Sequence, residues 1–297
     1  MIPKGKFDWY DPQKIMSNQA ASLFNTLADQ KQYLPALPHA MLEIQQLISN
    51  PLTSAPQLAK AIKKAPIIAS NIFELANNLL KSRQNDLASS LEHAITIIGL
   101  TTLNELSYLA GLHELAITSK IFDLDTFWEK SFLTGRIAEK LAAKYTSDLP
   151  ADRVYIAGAL SNIGKLVQAL ISPEKTDAME EDLNNLDILG TWQDMEKRHN
   201  MPPHTTLGEI ACVFWGMPEY ITQVAADHHH HHSWPLDVNG SKTVDLIQIV
   251  GLANQIGHWL MLHPNQIDKD YLNKACKRFG LSQKQLETMV ETMMELR

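Results

Sequence analysis

Two stretches of this chain carry side chains of the kinds that bind ligands or react. In AGALSNIGKLVQAL, residues 157–170, the apolar residues Leu160, Ile163, Leu166, Val167 and Leu170 recur at helical spacing, and Gly158 and Gly164 permit close backbone approach. The pattern predicts a buried helix with Ser161 and Asn162 in its middle. A buried hydroxyl and amide demand hydrogen-bond partners, so the pair binds something, closes a polar network, or stands where stronger ligands could stand. The second stretch is the run of five histidines, His228–His232. Imidazoles bind transition metals, and on a continuous helix His228 and His232 share a face at i, i+4, a spacing suited to adventitious nickel or zinc. Clustered imidazoles also gain charge on mild acidification. The run lies within the chain, so it is not a terminal tag.

Other chemistries are missing from the sequence. There is no GxxxxGK[ST] loop, no GxGxxG, no GxSxG elbow and no HExxH pair. Glu180, Glu181 and Asp182 fall in a charged connector, where solvation explains them. Cys212 and Cys276 lack CxxC spacing, which fits reduced thiols rather than a disulfide framework or zinc ribbon. A net charge of −7 and a pI near 5.9 argue against broad nucleic-acid affinity. Lys60, Lys63 and Lys64 form the densest basic group, and the end of a helix is their natural place. The opening MIPKGKFDWYDPQ has no apolar core, so no secretory signal is expected. The segment LIQIVGLANQIGHWLML is interrupted by Gln248, Asn254, Gln255 and His258, which reads as a buried soluble helix rather than a membrane span.

The elements that must position these groups read as helix after helix, with 45% hydrophobic residues to fill a core. Ile15, Leu23, Phe24 and Leu27 mark the first. Pro38 suits the first turn of a second that carries Met41, Leu42, Leu47 and Ile48. Ser54 and Pro56 open a third, with Leu58, Ala59 and Ile62, and Ile68, Ile72, Leu75 and Ala76 stripe a fourth. Ser89 with Glu92, and Thr102 with Glu105, have capping-box spacing and predict two more helix starts. Asp125 is positioned to cap TFWEKSFLTGRIAEKLAAKY, with Phe127, Trp128, Ile137 and Leu141 as its core residues. Thr206 and Glu209 are placed to cap GEIACVFW, and a helix from Pro218 runs into the histidines. Trp234 is expected to serve packing, and Ser282 opens a last helix with Leu286, Met289, Val290 and Met293. The expected architecture is all-α, with a helical lobe over residues 1–118 and a second over 119–297.

The order WEKSFLTGRIAEKLA, AGALSNIGKLVQAL, HTTLGEIACVFWGMPEYITQVAADHH, IVGLANQIG resembles the HDOD family, a divergent branch of the HD superfamily of helical metal-dependent phosphohydrolases. LPALPHAMLEIQQLI, QLAKAIKKAPIIASNIFELANN and SLEHAITIIGL extend the likeness toward the N-terminus, so that it covers about residues 34–254. The resemblance implies that the second lobe is an HD-like bundle. Catalytic HD proteins use a His, an adjacent His-Asp pair and a later Asp to hold metal, which activates water and polarises a phosphoryl oxygen.

Carried over position by position, Lys130 matches the first His, Ser161 and Asn162 match the His-Asp pair, and Asn254 matches the last Asp. None of these is a metal-binding type, so the resemblance implies a degenerate site: a polar network, or an anion or nucleotide pocket with Lys130 as its positive contact. His204, in HTTLG, and the His228-His229 pair match histidines of the family and are the candidate metal ligands that remain. The expected function is that of a bacterial, cytoplasmic signalling module that binds a partner protein or small anion. No catalytic residue and no obligatory cofactor are expected, beyond weak or adventitious divalent metal at the histidines. The competing expectation is a metal-dependent phosphohydrolase acting on a nucleotide through His204, His228 and His229.

Overall fold

A computed structural model of the chain describes residues 16–29, 34–36, 39–64, 66–82, 86–113, 115–145, 149–185, 191–229, 245–261 and 280–296. All regular elements among them are helical, as expected. In chain order they are α1 (Asn18–Asp29), α2 (His39–Ser49), α3 (Ala55–Ile62), α4 (Pro66–Ser82), α5 (Leu91–His113), α6 (Leu124–Tyr145) and α7 (Ala151–Leu160). There follow α8 (Ile163–Ile171), α9 (Pro173–Asn184), α10 (Trp192–Arg198), α11 (His204–Phe214), α12 (Glu219–Asp227), α13 (Leu246–Met261) and α14 (Gln283–Met293). The expectations for Ile15, Pro38, Trp234, Cys276 and His230 to His232 lie outside the described residues.

The chain forms two compact units that interleave along the sequence. One comprises Met1–Pro35, Ile117–Phe127 and Ser161–His231, and the other Ala36–Ala116, Trp128–Leu160 and His232–Arg297. Compactness thus partitions the chain differently from a single cut after residue 118.

In the second unit α5 is the central element, packed by α2, α3, α4 and α7. Its buried residues Ala94, Ile95, Leu103, Leu106 and Leu109 explain the association. Gly99 breaks α5 with φ +80°, a left-handed value that glycine tolerates without a Cβ penalty. A new helical segment thus begins just after Gly99, close to the expected start, but Thr102 lies in its first turn rather than at its cap, and its hydroxyl donates to Asp152 of α7 at 2.5 Å. Ser90, not Ser89, accepts from the His93 N–H at the beginning of α5. Two stretches, Leu91–His113 and Ala151–Ile171, are long and apolar enough to cross a bilayer by composition, but 65% and 78% of their apolar windows are buried in the fold.

In the first unit α11 is central, contacted by α1, α8 and α12. Met16, Ala20, Ile210 and Val213 form one buried cluster, against which Leu23 and Phe24 pack. Glu209 does not cap its own helix, as its spacing from Thr206 suggested. Its carboxylate reaches back to α1 and accepts from the Ser17 backbone N–H and, at 2.7 Å, from the Ser17 hydroxyl. The acidic connector is helical as well: Glu180, Glu181 and Asp182 belong to α9.

Asp123 rather than Asp125 caps α6, accepting from the Thr126 N–H at 2.7 Å. Asp177 of α9 secures the segment just before it, accepting from the Ser119 hydroxyl and from the N–H groups of Lys120 and Ile121 at 3.0 Å. Burial pushes the Asp177 carboxyl up, but these hydrogen bonds win and hold it below its ordinary value. Its contribution to stability is then full above the unfolded carboxyl pKa, about 3.9, and lost as pH falls through the lower folded value. Denaturation midpoints of wild type and Asp177→Asn are expected to differ at pH 7 and converge below pH 3. A pH-independent gap would contradict this assignment.

Candidate metal centre

Ser161 and Asn162 sit at a helix junction, not in mid-helix. The 157–170 stretch breaks after Leu160, and Ser161 and Asn162 form the turn between α7 and α8, with Asn162 as the N-cap residue of α8. Ser161 is buried, and its hydroxyl accepts from the Asn162 amide at 3.3 Å. Two residues later comes the contact that fixes α8 on α11. A Cβ built on Gly164 would lie 1.7 Å from the His204 carbonyl oxygen and 2.8 Å from the Gly208 N, so only glycine allows these backbones to meet.

That crossing places His204 at the first turn of α11. Helix α12 packs on the same helix, with Gly208 lying against Ala225, and ends at Asp227, so His228 becomes its C-cap residue and His229 follows. The helix thus ends as the histidine run begins, and His232, the expected i, i+4 partner of His228, lies outside the described residues. The three imidazoles meet across helices. His204 Nε2 lies 3.4 Å from His228 Nε2 and 3.0 Å from His229 Nε2, and one ligand atom from each ring falls within 4.8 Å of the other two. His204 and His228 are each 1% exposed, and His229 is half-buried.

The other ring nitrogens decide what these Nε2 atoms carry. His204 Nδ1 is 2.6 Å from Glu196 Oε1, and His228 Nδ1 is 3.1 and 3.2 Å from the carbonyl oxygens of Val224 and Ala225. A carboxylate and a carbonyl only accept, so both Nδ1 atoms bear the hydrogen. A neutral imidazole has one. The His204 and His228 Nε2 atoms are therefore acceptors, able to take a proton, to bind a metal ion or, in the case of His204, to accept from an Nε2–H of His229 at 3.0 Å. The proton is disfavoured: burial, first, pushes His204 down despite its bond to Glu196, and burial, then His204 and Lys165, push His228 well below the usual imidazole range.

The donor set fits a transition metal. A tetrahedral ion with metal–nitrogen bonds of about 2.0–2.1 Å requires nitrogens roughly 3.3–3.4 Å apart; His204 Nε2 stands 3.4 and 3.0 Å from the other two, and the three ligand atoms lie within 4.8 Å of one another. Three neutral imidazoles suit zinc, copper, nickel or iron(II), and three protein ligands leave a coordination position open. The residues expected from the resemblance at the HD metal positions differ in chemistry: Ser161 and Asn162 offer neutral groups with little affinity for such ions. Lys130 is exposed on α6, where its carbonyl accepts from the Thr134 hydroxyl, and Asn254 lies on α13, its amide donating to Val250 of the same helix at 3.2 Å. Both belong to the second unit, whereas the polar pair and the histidines belong to the first.

Three contributors escaped the sequence reading. Glu196, buried on α10, accepts from the His204 backbone N–H as well as from its ring, supplying the cap that Pro203 lacks. Gln168, fully buried on α8, donates to Glu196 Oε1 and to the Pro202 carbonyl, each at 2.7 Å, and accepts from the Trp192 indole at 2.8 Å. Lys165 lies over the Trp192 ring with its ammonium 5.1 Å from the centroid. Burial pushes the Glu196 carboxyl up, yet its hydrogen bonds prevail and it stays ionised. Gln168 had a signal in the sequence, a polar residue inside the apolar run LVQAL; Glu196 had none. Cys212, on α11, is buried, which pushes its thiol up and away from reactivity.

Comparison with known proteins finds relatives of the chain. Residues 34–231 match the HDOD domain family. An uncharacterised protein of Treponema pallidum (strain Nichols) is 26% identical over 257 residues, or 82% of the chain; the chain spans about half, 46%, of that relative's length. A Shewanella amazonensis SB2B structure provisionally named a phosphohydrolase superposes with TM-score 0.59 at 16% identity, covering 95% of this chain and 96% of its own. A structure from Marinobacter aquaeolei VT8, provisionally named a signal transduction protein, has TM-score 0.56 at 17% identity and covers 96% and 66%.

Proposed function

The chain belongs to the HDOD domain family, and on that footing we propose that it is a cytoplasmic bacterial signalling module that binds a partner protein and whose three-histidine centre holds one transition-metal ion. The carrying observation is the convergence of one ligand atom from each of His204, His228 and His229 within 4.8 Å, with the Nδ1 atoms of His204 and His228 bonded elsewhere. The sequence left metal either weak and adventitious or part of a phosphohydrolase site on these histidines; the convergence of the rings supports a bound ion. His204, His228 and His229 would hold the ion, and when bound it would supply a Lewis-acidic open position. The reading as a regulator rather than a hydrolase is supported by Ser161 and Asn162 at the positions where catalytic relatives carry ligands for the reaction. Metal binding would tie α11 to the end of α12 and so stabilise the surface a partner reads.

The test begins with tag-free protein stripped by chelator and reloaded. One zinc or similar ion per chain is expected, and none in His204→Ala. A triple variant with His230, His231 and His232 changed to Ala is expected to retain the ion; loss there would assign binding to the run alone. Loaded protein is expected to release no phosphate from nucleoside mono-, di- and triphosphates or cyclic dinucleotides. Turnover abolished by His204→Ala would replace the regulatory reading with a phosphohydrolase.

A further inference from the structure

We infer that Glu196 is the positioning residue of the three-histidine centre: it selects the tautomer and ring orientation of His204, and Gln168, clamped by Trp192 and Pro202, holds Glu196 in place. This rests on the metal-binding reading for its consequence, but its structural content stands on hydrogen bonds in the protein itself.

Glu196 Oε1 gathers three donors, namely the His204 ring Nδ1–H, the His204 backbone N–H and the Gln168 amide, at 2.6, 2.6 and 2.7 Å. Grasping both the backbone and the ring of one residue leaves that ring little freedom about χ1 and χ2. Because the acceptor carries charge, the Nδ1–H tautomer is strongly favoured, and Nε2 is left with its lone pair toward His228 and His229. A carboxylate behind a ligand imidazole also strengthens the imidazole as a donor, the arrangement by which outer groups raise metal affinity.

The next layer explains why Glu196 cannot turn away. The Gln168 amide spends one hydrogen on Glu196 and another on the Pro202 carbonyl, while its oxygen accepts from the Trp192 indole at 2.8 Å. These partners define the amide's orientation, since a flipped amide would set oxygen against two acceptors. The order of contacts is therefore Trp192, Gln168, Glu196, His204, drawn from α10, α8 and α11.

The test compares wild type with Glu196→Gln, which keeps size and removes charge, and Trp192→Phe, which keeps a ring and removes the indole donor. Long-range 1H–15N correlation on metal-free protein reads the His204 tautomer directly. Wild type is expected to show Nδ1–H alone, and Glu196→Gln a mixture; Nε2–H in wild type, or an unchanged tautomer in Glu196→Gln, overturns the inference whatever the protein does with metal. Competition against a chromophoric chelator then reads zinc affinity: a loss of about 10–100-fold is expected in Glu196→Gln, with a smaller loss in Trp192→Phe and an altered cobalt(II) visible spectrum. If Glu196→Gln fails to fold, Trp192→Phe decides, with unchanged affinity and cobalt spectrum counting against the relay. Should wild type hold zinc no better than His204→Ala, the metal reading fails while the tautomer result still judges Glu196. Should wild type hold zinc tightly and Glu196→Gln hold it equally, the metal reading survives and this inference does not.

Discussion

Gly164→Ala is expected to destabilise the first unit by about 3 kcal/mol or more and to abolish metal binding together with it. Most glycine-to-alanine changes in a helix gain a few tenths of a kcal/mol from propensity, up to about 1. Here the added carbon would sit 1.7 Å from the His204 carbonyl oxygen and 2.6 Å from its carbon. Both are backbone atoms at the start of α11, so no side-chain rotation relieves the overlap, and α8 and α11 must separate. Glu196 of α10 is bonded both to Gln168 of α8 and to His204 of α11, so separation of those helices forces it to give up one of them and loosens the His204 ring. Urea denaturation of the metal-free variant measures the first effect and chelator competition the second. A midpoint within 0.5 kcal/mol of wild type would show that the helices are free to part, and the account of how His204 is held would fail.

The second large effect concerns the ion. At free zinc about 1,000-fold above its dissociation constant, binding restricted to the folded form adds about 4 kcal/mol to stability. In His228→Ala that increment is expected to vanish. His228 is the informative residue because it is buried and its Nδ1 is anchored to backbone carbonyls, so the ring cannot swing out and be replaced by a neighbour from the histidine run. Melting in chelator and in buffered zinc, for both proteins, gives the four values needed. A zinc-dependent rise preserved in His228→Ala would place the ion elsewhere.

These expectations show which parts of the molecule could be read from its residues. Helical stripes such as Leu58, Ala59 and Ile62, or Leu286, Met289, Val290 and Met293, were legible because amphipathic spacing is a local property of the chain. Ser282, at 3.3 Å from the Gln285 N–H, confirms a cap for the same reason. Capping-box spacings at Thr102–Glu105 and Thr206–Glu209 fell within a turn of a helix start but did not form the caps, because the pattern does not say where a side chain finds its partner; Thr102 found Asp152, and Glu209 found Ser17. At the site, family likeness drew attention to His204, His228 and His229. Spacing could not say that they converge, since that depends on how α11 and α12 pack. Glu196 was invisible for the converse reason: in DMEKRHN it has the look of any charged surface residue, and only the tertiary fold buries it.

The link between Ser17 and Glu209 joins residues 192 positions apart, and this has a consequence during synthesis. A ribosome adding about 5–20 residues per second takes roughly 10–40 s to travel that distance. Throughout that interval the apolar stripe of α1, which includes Ala20, Leu23 and Phe24, has emerged without the helix against which it finally rests. The nascent chain must keep this stripe from premature association until α11 is made, so chaperone dependence during translation should concentrate on α1, Asn18–Asp29.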